Sequence, residues 1–229
     1  MPVYQLVDEL IFPPTERAEP CGLLALGGDL SPRRLLLAYS LGIFPWYNDG
    51  EPILWWAPEP RCVLDPAALR YSRSLRRSLR GHDFRVTFNQ AFAAVMRACA
   101  TMPRTVGPGT WITADMEQAY LRLHAMGYAH SVESWLGDEL VGGLYGVGLG
   151  RCFFGESMFR FRSGASRVAL VALCRRLVEI GVGLFDCQQP SPHLLALGAR
   201  NIPRREFMAR LRALEVRPST SPRPMPALV

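Results

Sequence analysis

The chain has 229 residues, of which 49% are hydrophobic and 20% charged. That excludes a disordered chain and is enough for one large domain or two smaller ones with real cores. No apolar run reaches the ~18–20 residues of a membrane helix, the N-terminus Met1-Pro2-Val3-Tyr4-Gln5 lacks the basic-then-apolar order of a secretory signal, and the net charge of +6 weakly favours a polyanionic partner. No membrane association is expected, and the cytoplasm is the expected compartment.

In chain order, residues 21–28 read as a turn-rich apolar segment. Asp29 or Ser31 is placed to cap a helix with Pro32 in its first turn, running to about Ser40. Trp46, Trp55 and Trp56 fall within eleven residues and suit either a core or a stacking surface. From Cys62 the texture changes: residues 63–65 read as a strand, 71–80 as a basic helix, 84–88 as a strand and 90–100 as a helix. Thr113 is an N-cap for a helix to about Met126. Residues 129–136 and 139–148 form a hairpin around Gly137-Asp138, followed by a strand at 151–159. Residues 166–180 are an amphipathic helix stopped by Gly181, 182–187 a short apolar strand, 191–198 a short helix and 203–214 a last helix. The Pro/Ser-rich tail from Pro218 is predicted to be disordered. Strands mixed with helices after residue 62 imply an α/β or α+β domain.

Six cysteines (21, 62, 99, 152, 174 and 187) form no Cys-x-x-Cys pair, and the four histidines do not cluster with them. No metal site is expected, and the cysteines read as reduced, mostly buried thiols.

Arg73, Arg76, Arg77 and Arg80 share one helical face, where like charges call for an anion and the guanidinium fork suits phosphate. A solvated face is the competing reading, and the scarcity of acids nearby favours binding of a nucleic-acid backbone. Trp46 and Trp111 are candidates for stacking on unpaired bases, worth ~1–3 kcal/mol per base; core packing is the commoner fate of a tryptophan. Glu156 lies within Phe153-Phe154-Gly155-Glu156-Ser157-Met158-Phe159, an otherwise apolar run. A buried carboxylate there must be paired, hydrogen-bonded or at work on a substrate. Ser157 imitates a hydrolase elbow, but Phe159 occupies the second glycine's place and only His193 follows, so a Ser–His–Asp nucleophile is not expected. Glycines 142, 143, 146, 148 and 150 lie in a strand, where they permit close backbone approach or bulging rather than form a dinucleotide loop. In Phe185-Asp186-Cys187-Gln188, strand alternation predicts Asp186 and Gln188 on one face with Cys187 on the other. An acid beside an amide is able to hold an amine and take or share its proton, although as an isolated pair a structural role is the more common one.

Together these segments resemble the bacterial leucyl/phenylalanyl-tRNA–protein transferases. The resemblance is carried by Gly22-Leu23-Leu24-Ala25-Leu26-Gly27-Gly28-Asp29-Leu30-Ser31-Pro32, Gly42-Ile43-Phe44-Pro45-Trp46, Ile53-Leu54-Trp55-Trp56, Thr110-Trp111-Ile112-Thr113, Glu139-Leu140-Val141-Gly142-Gly143, Gly155-Glu156-Ser157-Met158-Phe159, Phe185-Asp186-Cys187-Gln188 and Ile202-Pro203-Arg204-Arg205. It covers nearly the whole chain, in order. The resemblance implies a small N-terminal domain (1–62) and a catalytic domain (63–229) of the GCN5-related N-acetyltransferase-like fold. It implies that Leu or Phe, and Met less well, moves from aminoacyl-tRNA to the α-amine of proteins beginning with Arg or Lys, marking them for degradation, with no cofactor and a monomeric enzyme. Trp46 and Trp111 would sandwich the tRNA's 3′ adenine. Leu144, Met158, Leu170, Leu173 and Leu177 would line the aminoacyl pocket. Arg73, Arg76, Arg77 and Arg80 would grip the acceptor stem. Asp186 and Gln188 would hold the amine, supported by Glu156.

Two departures from the family pattern stand out. Gly164-Ala165-Ser166-Arg167 replaces an Asn-Ala-Ser-Lys, and Leu173 and Leu177 replace larger walls, which should shift preference from Leu toward Phe. Asp186 is read either as a base for the amine or as a group that only recognises the cationic N-terminus. An acetyl-CoA-dependent N-acetyltransferase is the first rival, but in Phe161-Arg162-Ser163-Gly164-Ala165-Ser166 the first, basic position of a pyrophosphate loop is Phe and the last, small one is Ser. A non-catalytic tRNA-binding protein leaves the acids unexplained, and a peptidoglycan-bridging transferase would need a site for a lipid-linked peptide.

Overall fold

The computed structural model describes residues 3–70, 76, 79, 84–102 and 112–228. Of the predicted basic helix only Arg76, which is exposed, and Leu79 are among them; Arg73, Arg77, Arg80 and Trp111 lie outside the described residues.

The fold is mixed α/β with two sheets. The smaller is built from β1 (Tyr4–Leu6), β2 (Leu23–Gly27), β3 (Phe44–Pro45) and β4 (Leu54–Trp56), in the order β1-β2-β4-β3. Residues 21–28, expected as turns, therefore hold a strand: Leu24 and Ala25 are buried and the ladder to β1 and β4 satisfies the backbone. Helix α1 (Pro32–Ser40) starts as the sequence predicts, with Ser31 Oγ accepting the Arg34 N–H. Arg34 is buried, bonded to Asp29 and to the carbonyls of Val7, Asp8 and Glu9, which fastens the N-terminal segment to α1.

The larger sheet contains β5 (Arg61–Leu64), β6 (Arg85–Phe88), β7 (Ala129–Leu136), β8 (Glu139–Leu149), β9 (Cys152–Arg160), β10 (Leu184–Gln188) and β11 (Arg200–Ile202), ordered β11-β5-β10-β9-β8-β7-β6. Every neighbouring pair is antiparallel except β9 and β10. Helix α4 (Ala165–Glu179) connects those two and packs on one face, against Leu144, Phe153 and Phe185. Helices α2 (Phe92–Thr101) and α3 (Ala114–Ala125) pack on the other face with Tyr145 and Phe154, in a core shared with the small sheet. Strand alternation explains the division, since neighbours 144 and 145, or 153 and 154, point to opposite faces. At Gly142 a Cβ would come 2.5 Å from the Ala165 Cβ, so its absence lets α4 sit close on the sheet.

Helices α5 (Pro192–Ala196) and α6 (Arg204–Ala213) follow β10 and β11 in the chain. The tail, expected to be disordered, is instead strapped down. Ser219 bonds Ser40, Tyr128 donates to the Pro222 carbonyl, Pro224 bridges Leu149, and Met225 and Leu228 are buried. Its proline content limits ladder pairing but does not prevent apolar anchors from docking. Among the described residues no helix is long and apolar enough to cross a membrane.

Candidate active site

β9 and β10 pair in parallel only over Cys152–Leu184, Phe153–Phe185 and Phe154–Asp186. Both strands then break register. In β9, Tyr145 faces Ser157 and Gly146 faces Gly155, so Glu156 is the extra residue; in β10, Asp186 faces Val63 and Gln188 faces Cys62, so Cys187 is extra. Two bulges at the same level turn side chains into the gap where the strands part. Gly155 has to be glycine there, because a Cβ would fall 2.7 Å from the Phe185 ring.

The gap opens into a cavity of about 190 Å³, lined by Leu144, Tyr145, Met158, Phe185 and Leu194 on its apolar side and by Glu156, Gln188, Ser191 and His193 on its polar side. Gln188 Nε2 donates to Glu156 Oε1 at 2.8 Å, and the Tyr120 hydroxyl donates to Oε2 at 2.9 Å. Tyr120 is in turn hydrogen-bonded to the Tyr39 hydroxyl, which joins α1, α3 and β9 through one network. No cation pairs with Glu156 among the described residues' ion pairs. Burial pushes its carboxyl up to about 7, with the Asp186 charge adding to the rise and the hydroxyl and amide donors opposing it. Burial also raises the Tyr39 and Tyr120 hydroxyls well above their usual range, with Glu156 contributing, so they remain neutral donors.

Asp186 is differently placed. It is fully buried, and Arg61 grips it with two bonds, Nε to Oδ1 at 2.9 Å and Nη2 to Oδ2 at 2.6 Å. Oδ1 also accepts the Gln188 N–H at 2.9 Å. The expected shared face of Asp186 and Gln188 is therefore corrected. The bulge puts Cys187 and Gln188 on the cavity wall and leaves Asp186 behind it. Gln188 pays for that turn with a left-handed φ of 62°, a conformation that persists in non-glycine residues mainly where the surroundings enforce it.

Of the predicted aminoacyl-pocket residues, Leu144 and Met158 line the cavity. Leu170, Leu173 and Leu177 do not; they are fully buried on α4, behind Leu144 and Phe185. Trp46 is 37% exposed, its ring tilted against Trp56 at 5.6 Å, and Trp56 Nε1 donates to the Trp46 carbonyl. Next to it Tyr47 bonds Thr113, the N-cap of the helix that carries Tyr120, two residues beyond Trp111 in sequence. At the cavity mouth His193 lies near Arg160 and Arg167; burial lowers its pKa and both guanidinium charges lower it further.

Sequence reasoning missed four contributors: Arg61, Tyr39, Tyr120 and His193. The first three act through long-range contacts that no local motif advertises. The bulges were legible only as the unexplained interruption of apolar strands by acids. Among the described residues, no group of three or more His, Cys, Asp or Glu side chains is placed to hold a metal ion.

Two family models match the chain: "leucyl/phenylalanyl-tRNA protein transferase N-terminal domain" over residues 28–59 and "leucyl/phenylalanyl-tRNA protein transferase" over residues 63–212. Curated relatives named leucyl/phenylalanyl-tRNA–protein transferase are similar along nearly the full length. The one from Syntrophotalea carbinolica is 61% identical over 222 residues, covering 97% of this chain and 96% of that protein. The one from Azoarcus sp. is 61% identical over 208 residues, covering 90% and 88%. The one from Syntrophobacter fumaroxidans is 59% identical over 211 residues, covering 92% and 90%.

Proposed function

The chain belongs to the leucyl/phenylalanyl-tRNA protein transferase family, and we propose that it moves Leu or Phe, and Met less well, from aminoacyl-tRNA to the α-amine of proteins that begin with Arg or Lys. It is an aminoacyltransferase that forms a peptide bond. The product N-terminus marks the acceptor for degradation in the cytoplasm, and the enzyme acts as a monomer. One observation carries the reading: an apolar cavity ends in a bonded Glu156–Gln188 pair. At about 190 Å³ the cavity is smaller than the ~300–1,000 Å³ of sites for drug-sized ligands, and it suits a single apolar side chain with its reacting groups.

The side chain of the transferred residue enters against Leu144 and Met158, with Leu170, Leu173 and Leu177 setting the depth from behind. Trp46 and Trp111 stack the 3′ adenine. Arg73, Arg76, Arg77 and Arg80 hold the acceptor stem, and the cations at the cavity mouth suit the phosphodiester strand that leads to it. The β9–α4–β10 unit with its parting parallel strands is read as GCN5-related acetyltransferase-like, by analogy of topology.

The ester is already activated, so no covalent enzyme intermediate is required. Because Gln188 Nε2 is committed to Glu156, its Oε1 is left to accept from the incoming amine. An α-ammonium titrates near ~8. Passing its proton to the Glu156 carboxylate, whose pKa is about 7, is uphill by roughly one unit, or ~1.4 kcal/mol. Asp186, enclosed by Arg61 and the Gln188 N–H, fixes the strand and does not contact the amine. The amine nitrogen then attacks the ester carbonyl, the amide bond forms and the ester C–O bond breaks; the ribose oxygen leaves with the proton that Glu156 returns, and the restored carboxylate takes the second proton from the new amide nitrogen and releases it to solvent. Juxtaposing ester and amine supplies up to ~7–11 kcal/mol.

The test uses radiolabelled Leu-tRNA and Phe-tRNA with peptides starting Arg, Lys or Ala. Transfer to the Arg and Lys peptides is expected. Transfer to Ala peptides, or none to Arg and Lys peptides, overturns the reading.

A further inference from the structure

Arg61 is 1% exposed and makes three side-chain hydrogen bonds in two directions. Nε and Nη2 hold both oxygens of Asp186, while Nη1 donates to the Gly42 carbonyl at 2.9 Å. Its guanidinium carbon lies 4.9 Å from the centre of the Phe44 ring and 4.7 Å from that of Phe207. Gly42 and Phe44 begin the segment that ends in Trp46, and Phe44–Pro45 is the strand immediately before that tryptophan. Asp186, on the other side, accepts the backbone N–H of Gln188 and so helps hold its left-handed turn. One planar cation therefore touches both the segment that presents Trp46 and the strand that presents Gln188.

We infer that Arg61 is a positioning residue for the transfer reaction: it locks the nucleotide-stacking segment and the amine-holding strand at one fixed spacing, so that ester and amine meet in register. This rests on the assignment of Trp46 to the tRNA end and of Gln188 to the amine. The fork geometry is essential, because a lysine ammonium is a point charge that cannot hold two carboxylate oxygens in plane while also reaching a carbonyl on the far side. A mere stabilising ion pair would be replaceable by apolar residues of similar volume at little cost.

That difference supplies the experiment, done on the full chain with Arg61→Lys and with the double variant Arg61→Met/Asp186→Leu. Hydrogen exchange of the peptides spanning 42–47 and 184–190 reads the clamp without reference to the reaction. Separate KM values for aminoacyl-tRNA and for an Arg-peptide, together with kcat, read its consequence. For Arg61→Lys, exchange should quicken in both segments and kcat/KM should fall at least tenfold, while the melting temperature moves by only a few degrees. The double variant should fold and remain at least tenfold below the parent in kcat/KM. A double variant within twofold of the parent, or quickened exchange confined to one segment, overturns the inference. Should the double variant not fold, the exchange pattern of Arg61→Lys decides alone. Should the parent fail to transfer to Arg and Lys peptides, the proposed function falls, while joint loosening of the two segments still supports the clamp.

Discussion

The two acids at the parting of β9 and β10 sit one strand apart and lead opposite lives. Asp186 is buried against a forked cation that takes both of its oxygens. Glu156 is held by an amide and a phenol, both neutral, and burial drives its carboxyl up to about 7. Burial with a matched cation makes an acid structural. Burial among neutral donors leaves it poised near the pH at which proton transfer is cheap in both directions. Whether an acid in an apolar strand does chemistry is thus decided by its partner.

The largest way to break this contrast is Asp186→Ala. It strands the Arg61 charge in the interior, and losing one partner of a buried pair costs about 3–5 kcal/mol. Chemical denaturation should show a loss of that order. A loss below about 1 kcal/mol would mean that Asp186 is not the structural member of the two.

Glu156→Gln is the complementary experiment. It keeps the shape and most hydrogen bonds, so the fold should hold, while the loss of the proposed general base should lower kcat by roughly 10²-fold at pH 7.5. The parent's kcat/KM should rise with pH through about 7, where Glu156 loses its proton, and the variant should lose that limb. A variant that keeps both its rate and its limb would remove Glu156 from the chemistry.

Stability gives the same contrast a different sign. The folded-state pKa of Glu156 lies above the ordinary 4.5, so the folded state prefers the protonated acid. Its contribution is present in full below pH 4.5 and is lost as pH rises through about 7. The shift corresponds to up to ~3 kcal/mol. Unfolding of Glu156→Gln between pH 5 and 8 should lack this decline relative to the parent.

Much of the scaffold was legible in the sequence. Ser31, Thr113 and Ser191 each cap the helix that the pattern predicts, and the Gly137-Asp138 hairpin stands where alternation and the turn residues put it. These are local signals, fixed within four or five residues. The site was legible only as chemistry without geometry. Alternation put Asp186 and Gln188 on one face, and a single extra residue at Cys187 undid it. Bulges have no compulsory sequence mark. Arg61 was invisible because its partner lies 125 residues away. The leucines at 170, 173 and 177, which the resemblance assigns to the pocket, lie in the core cluster with Leu144 and Phe185 rather than on the cavity wall. The tail misled through composition: prolines and serines read as disorder, but Met225 and Leu228 anchor it.

A smaller effect separates the mouth of the cavity from its interior. Arg160 is exposed beside His193, where a phosphodiester strand would pass. Arg160→Ala should weaken aminoacyl-tRNA binding several-fold and reduce the slope of log Kd against log[salt] by about 0.7, the value for one phosphate contact on a single strand. The KM for an Arg-peptide should not rise. A change in peptide KM with no change in salt slope would assign that arginine to the acceptor.

The smallest expected effect concerns depth. Leu173 is fully buried behind Leu144 and Phe185, so Leu173→Phe adds volume to a layer that does not itself touch the substrate. Such overpacking costs ~1–3 kcal/mol of stability. The displaced layer narrows the cavity from behind, and a side chain the size of phenylalanine meets that wall before one the size of leucine. Apolar pockets discriminate by only ~1–3 kcal/mol per methylene, and an indirect push transmits less than a direct contact. The ratio of kcat/KM for Leu over Phe should therefore rise by about three- to tenfold. An unchanged ratio in a folded variant would show that Leu144 and Met158 set the size limit by themselves.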